Sequence, residues 1–501
     1  MTKRAVLVVF TMALTLALVN PMASAQAPCP AIPGVDERCE AWTAAVHGGD
    51  LGTTTGDFPS DLAVSPDGSA VFVSGSSRDE SDPFQAASRW TVAAFDPGTG
   101  TERWRKRPSD LDRYALTTAI TVTSDGRFVV ATGTQRASFS APASRMTTIA
   151  FDAVTGAEVW RSVWDGSALQ DGGMDVVASD DTVYVVGYTR PEGKGYDYAA
   201  VAYDAATGEE RWSSTWAGIA DGRDDNPFAA GLSPDGSLLH VTGWSAGSGE
   251  FNNDYGTVTF HTRGEDAGEV AWEARFDGVG SRAPDQANDL AVDADGTVYV
   301  TGISDDVPGG PPFSVNYDIA TLAYEGATGA QRWVKRHRFG SNTWNVGEAI
   351  AVSGNRVVVG GLTYTSSSKD SDPVILALDA SSGAVVWSHQ ETLAQHEGEY
   401  GLDVAAAGNT AFLVGVSGKS VGSVIPGTSG TIASQATYAY DLAGGSRRWL
   451  ARYNPMPFDN VSGQAVVPAA NGLRAFVLSQ ITRNANPDGN IYDIGVTAYD
   501  S

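Results

Sequence analysis

Only two of the 501 residues are cysteines, Cys29 and Cys39. That excludes a disulfide-rich scaffold, and no further Cys or nearby His completes a tetrahedral metal set. The six histidines, at 47, 240, 261, 337, 389 and 396, never fall at metal-ligand spacing, which argues against zinc. Positive charge is also short, with 33 Lys and Arg against 59 Asp and Glu and a formal net charge of −26. Such a chain gains nothing from counterion release and is not steered to an anionic surface, which excludes nucleic acid and acidic membranes as partners. Beyond the N-terminus no apolar run approaches the ~20 residues of a membrane span. Charged residues make up only 18% of the chain and hydrophobic ones 42%, a balance that excludes disorder.

The one apolar run is a targeting segment. Lys3 and Arg4 precede the uncharged stretch Ala5 to Val19, and Ala23-Ser24-Ala25 supplies small residues for cleavage. Residues 1–25 are therefore expected to be a signal peptide, removed near Ala25, and the mature protein to be secreted as a monomer. No cysteine ends the apolar run, so a lipid anchor is not expected. In an oxidising compartment Cys29 and Cys39 are expected to form one disulfide near the 26–36 segment.

What is abundant is glycine, at 57 residues, and a repeated phrase, A-x-D-x-x-T-G-x-x-x-W. It stands whole at Ala94 to Trp104, Ala150 to Trp160 and Ala202 to Trp212. Variants end on Trp333, Trp387 and Trp449, and a longer copy ends on Trp272. Successive tryptophans lie 56, 52, 60, 61, 54 and 62 residues apart. Each copy reads as strand, tight turn and strand: Asp and Thr bond turn backbone, Gly permits positive φ, and Trp buries a ring. Between copies lie alternating hairpins such as Asp289 to Gly302, with a D-G turn. Hairpin plus phrase makes four strands in one propeller blade. The hairpins number eight, and Glu37 to Trp42 has the character of the strand that the last blade lacks. The prediction is an all-β, eight-bladed propeller over residues 37–501, closed by pairing of its N- and C-terminal strands, with Trp42 and the seven repeat tryptophans as structural residues.

This repeat resembles the tryptophan-docking motif of pyrroloquinoline-quinone (PQQ)-like propellers, over roughly residues 37–501. The resemblance implies radial blades around a channel. Quinone-dependent alcohol dehydrogenases share it, but they carry adjacent cysteines against the quinone, and some a C-x-x-C-H haem site. With only Cys29 and Cys39 present, the resemblance supports the scaffold and gives little support for PQQ.

Short motifs add nothing catalytic. Gly243-Trp-Ser-Ala-Gly247 fits a nucleophile elbow, yet ends a hairpin instead of opening a helix. The Asn484-x-Asn486-x-Asp488-Gly489 run lacks the twelfth-position Glu of a calcium loop. Superposed repeats are more informative. Where the innermost strands begin stand Asp57, Asp171, Asp225, Asp285, Glu399 and Asp459, and four residues on come Asp61, Asp175, Asp289, Glu348 and Asp403. Where the third strands begin stand Asp197, Asp254, Asp318, Asp372 and Asp493, against Arg89, Arg145 and Ser434. In a propeller these positions share one face. Turn residues of this kind also bond neighbouring backbone N–H groups, which is the simpler reading. The functional reading is an acidic mouth for cations or hydroxyl-rich ligands, with calcium as the ion it would take. The expectation is a non-catalytic protein that binds an extracellular carbohydrate or protein there. The alternatives are a quinone oxidoreductase and a carbohydrate lyase or hydrolase with paired acids. No catalytic residue is assigned.

Overall fold

The computed structural model describes residues 40–46, 56–78, 88–112, 114–137, 141–166, 169–219, 222–247, 252–278, 285–305, 317–340, 343–365, 371–391, 400–421, 430–453, 460–469, 472–483 and 491–500. The signal segment, Cys29, Cys39, Glu399 and Asp459 lie outside the described residues.

All described elements are strands, and no helix among the described residues is long and apolar enough to cross a membrane. The strands form antiparallel groups of four, spanning 57–106, 114–164, 170–216, 225–276, 286–337, 343–390 and 400–453. A further group takes Asn460–Pro468, Arg474–Arg483 and Ile491–Asp500 from the C-terminus and Trp42–Val46 from the N-terminus. Trp42 pairs with Ala498 and Val46 with Ile494, so the ends of the chain close one sheet. The architecture is that of a multi-bladed β-propeller.

Local chemistry explains the repeat. In the third group the Asp204 carboxylate accepts the amides of Ala206 and Thr207, both at 3.0 Å, and the Thr207 hydroxyl. The repeat glycine has two jobs, seen best at Gly329, whose φ is +71°. A Cβ there would lie 2.6 Å from the Trp272 ring, so only glycine lets the indole of one group lie on the turn of the next. Each indole N–H then donates to the carbonyl after the repeat Asp, or its equivalent, of the following group. Trp160 reaches Ala205 O at 2.9 Å, Trp272 reaches Gly326 O at 2.7 Å and Trp387 reaches Leu442 O at 3.0 Å. Trp42, Trp104, Trp212 and Trp333 make the same bond to Pro97, Ala153, Thr262 and Ala380. Trp449 is the exception: it is buried against Phe412 and Tyr499, and its N–H has no partner. The group it faces has no such turn, because its fourth strand comes from the N-terminus. Trp212 and Trp333 are half-buried, the other six fully.

Hydrophobic clusters sit between neighbouring groups. One joins Trp42, Ala44 and Val46 with Ile494 and Val496 of the closing group and Leu62, Val71 and Phe95 of the first. Trp42 Nε1 and Arg474 both donate to Pro97 O, at 2.8 and 2.6 Å, which ties the closing group to the first.

Candidate functional site

Because neighbouring strands run antiparallel, the start of strand one, the end of strand two and the start of strand three form one row across each group. In the fourth group the row is Asp225, Ser245 and Asp254; in the third it is Asp171, Thr189 and Asp197. The first group has Asp57, Ser77 and Arg89, and the sixth Asn345, Thr363 and Asp372. In the closing group the row is Val461, Ile481 and Asp493, so Asp459 stands two residues before the matching position. All these rows border the same mouth. Tyrosines and a tryptophan flank it, with Tyr317 and Trp344 in edge contact at 5.0 Å and Tyr188 and Tyr196 at 5.2 Å.

The second set of carboxylates does something else. Every innermost strand carries a one-residue bulge in its ladder, and the residue after it alternates: Asp61, Ala119, Asp175, Ala229, Asp289, Ala349, Asp403, Ala465. Each Asp bridges two groups. Asp61 accepts the amides of Leu62 and Ile120, both at 2.7 Å; Asp175 those of Val176 and Ala230 at 2.7 and 2.8 Å. Asp289 takes Leu290 and Ile350, both at 2.9 Å, and Asp403 takes Val404 and Val466 at 2.8 and 2.9 Å. These four are buried and bind backbone on both sides, a role that stitches groups in pairs. Glu348 does not belong with them. It is the bulged residue itself, one place before Ala349, so its repeat spacing is one residue out of register with the other acids.

Two of the acids that begin the innermost strands hold the crossover from the preceding group. Asp225 accepts Gly218 N and Asp285 accepts Gly278 N, both at 2.8 Å, and Asn345 does the same for Phe339 N at 2.9 Å. Two of the acids on the third strands are balanced by cations that the register does not reveal. Arg275 Nε lies 2.5 Å from Asp254 Oδ2, and Arg338 Nε 2.6 Å from Asp318 Oδ1. Arg275 also clamps the Ser245 and Ala246 carbonyls, at 2.9 and 2.6 Å. The mouth is thus less anionic than a count of its carboxylates implies.

One junction differs. Between the fourth and fifth groups, Asp254, Asp285 and the exposed crossover residue Asp277 offer three carboxylate oxygens within 4.8 Å of one another. Asp277 follows the fourth strand, five residues after Trp272, and the repeat carries the signal that would have found it. The equivalent residues are Asp165, Ala217 and Arg338 at other junctions. There the threesomes read Arg145, Asp165, Asp171; then Asp197, Ala217, Asp225; then Asp318, Arg338, Asn345. Among the described residues only Asp254, Asp277 and Asp285 make an all-carboxylate set. Burial pushes the Asp285 carboxyl up to about 7, with Asp277 adding to the rise and Ser304, the Gly278 amide and Arg336 opposing it. Burial also raises Asp254 and Asp225, against the pull of Arg275 on the first and of Ser245 and backbone amides on the second.

The innermost strands also expose apolar side chains at this mouth. Phe58 and Leu116 are 39% and 47% exposed, on adjacent groups joined by the Ser60 hydroxyl to Thr117 O at 2.7 Å.

The chain is similar to several solved structures. Sqt1 of Chaetomium thermophilum, bound to the N-terminus of ribosomal protein L10, is 14% identical with a TM-score of 0.54, covering 90% of this chain and 98% of its own. BamB of Moraxella catarrhalis is 14% identical with a TM-score of 0.44, covering 92% and 98%. The quinohemoprotein alcohol dehydrogenase of Comamonas testosteroni is 13% identical with a TM-score of 0.47, covering 93% and 76%. No curated protein matches the sequence significantly. The profile of the PQQ-like family described as outer membrane protein assembly factor BamB matches residues 88–226 and 256–472, more than half of the chain, and this protein belongs to that family.

Proposed function

We propose that this protein is an exported, non-catalytic propeller that binds a protein segment at the mouth where its innermost strands begin. In this reading the leader is cleaved near Ala25, Cys29 and Cys39 are bridged, and eight blades form the ring. The observation that carries it is the pairing of exposed Phe58 and Leu116 with acidic crossover residues Asp165, Asp224 and Asp277 on the same face. An apolar anchor beside a partly anionic rim suits a peptide with a large apolar residue flanked by lysine or arginine. Membership of an assembly-factor family, and a structural neighbour that carries a ribosomal-protein N-terminus, support the same kind of role. The site also favours binding over acid–base chemistry. Asp285, whose carboxyl is raised to about 7, is 0% exposed, and a substrate would have to touch it to be protonated.

A peptide array of defined sequences tests this directly. The mature protein should enrich apolar-basic peptides, with binding that weakens as salt is raised. Replacing Phe58 and Leu116 together by serine should abolish the enrichment. Enrichment that survives that change, or none at all, refutes the proposal.

A further inference from the structure

We propose that Asp254, Asp277 and Asp285 bind one divalent cation of the calcium class at the junction between the fourth and fifth groups. The site does not depend on the mouth binding a peptide.

The donor set is hard oxygen throughout, with no sulfur or imidazole, which selects calcium-like ions over zinc or copper. Two oxygens on one calcium ion can be at most about 4.6–5.2 Å apart, twice the usual bond length. The three carboxylate oxygens meet that limit, lying within 4.8 Å of one another.

Unspent valence is the second, separate observation. Asp285 is 0% exposed and Asp254 3%. In each, one oxygen is committed, Asp285 Oδ2 to the Gly278 amide at 2.8 Å and Asp254 Oδ2 to Arg275 at 2.5 Å. In each, the other oxygen, Oδ1, is buried and makes no hydrogen bond of good geometry, although the Ser304 hydroxyl acts on the Asp285 carboxylate. A buried carboxylate oxygen without a partner is costly, and carboxylates this close repel. A shared proton would relieve the two buried oxygens but not the third carboxylate, whereas a dication would bind all three. Arg275 is paired with Asp254, and Arg336, held by the Asp305 carbonyl at 2.8 Å, also offsets part of the Asp285 charge. Three carboxylates against these two cations leave net negative charge for a bound cation. Asp277 closes the set from the solvent side, which gives an ion a way in.

The neighbouring junctions are internal controls. Ala217 replaces Asp277 one junction earlier, and one junction later Arg338 and Asn345 replace Asp277 and Asp285. No other fully described junction brings three carboxylates together.

The test uses the mature protein stripped with chelator and titrated with terbium, with Tyr255 as antenna. That ring is buried, 5.3 Å from Phe276, and its hydroxyl feels the Asp285 charge. One saturable terbium site should appear, be displaced by calcium, and be displaced far less well by magnesium. Calcium should raise the melting temperature at matched ionic strength. Asp277→Asn alters an exposed side chain, so the fold in chelator should be unchanged while terbium affinity falls by about tenfold or more. Asp197→Asn, one junction earlier, should leave affinity unchanged. No saturable terbium site, or terbium affinity and a calcium-induced rise in melting temperature that both survive Asp277→Asn, would overturn the proposal.

Discussion

Replacing Asp289 by alanine isolates the stitch between paired groups. Its carboxylate is buried and accepts two backbone amides, Leu290 N in its own strand and Ile350 N in the next group, both at 2.9 Å. A hydrogen bond to a charged acceptor contributes roughly 1.5–3 kcal/mol, and removing the acceptor strands a buried donor on each side. The expected loss is therefore roughly 3–5 kcal/mol. Asp289→Asn should lose about half as much, because its amide oxygen still serves one N–H while its NH2 group opposes the other. Urea titration gives the midpoint shift, and hydrogen exchange read by mass spectrometry locates it. Protection should fall at residues 349–352 of the next group as well as at 289–292. An exposed hairpin residue in the same group, changed by Asp295→Ala, should cost within about 0.5 kcal/mol. If Asp289→Ala costs less than about 1 kcal/mol, or leaves exchange at Ile350 unchanged, the stitch is not a structural device.

Trp272→Ala should cost roughly 3–5 kcal/mol in urea titration, since a buried ring and its bond to Gly326 are both lost. Gly329→Ala should cost roughly 1–3 kcal/mol from its positive φ, plus the clash with the same ring. Deleting residues 26–48 removes the strand paired with Ile491–Asp500, so the exposed edge should promote aggregation in light scattering and lower the melting temperature. Asp285 has a folded-state carboxyl near 7 against an ordinary value near 3.8, so its contribution is fully present below about pH 4 and is lost as pH rises through 7. That shift corresponds to a loss of at most about 4 kcal/mol. In chelator, Asp285→Asn should therefore be more stable than the parent at pH 8 and close to it at pH 4, as read from urea midpoints. With calcium the order at pH 8 should reverse.

The scaffold was legible because its signals are local. Asp204, Thr207, Gly208 and Trp212 sit within one turn and one strand, and their spacing recurs. The closing strand was legible for the same reason, since Trp42 keeps the interval. Register was not. A bulge adds one residue without any composition mark, so Glu348 looked equivalent to Asp289, whereas the structure puts Ala349 there. The alternation of Asp and Ala after the bulges, with Asp61, Asp175, Asp289 and Asp403 at a constant interval of 114 residues, emerges only once the bulges are placed. Charge balance was hidden too. Arg275 and Arg338 arise on or just after fourth strands, and their reach to third-strand acids depends on long side chains crossing a sheet. Asp277 lies in a crossover after the strand Val270–Phe276, outside the strand pattern that repeats.

The decisive measurement is hydrogen exchange on the mature protein with and without a saturating apolar-basic peptide selected on the array. The account predicts new protection along the innermost strands near Phe58 and Leu116 and in the crossovers around Asp165, Asp224 and Asp277. Protection confined to the opposite face, at hairpin turns such as Asp125-Gly126 and Asp295-Gly296 or at the tryptophan-docking turns around Gly208 and Gly329, would contradict it.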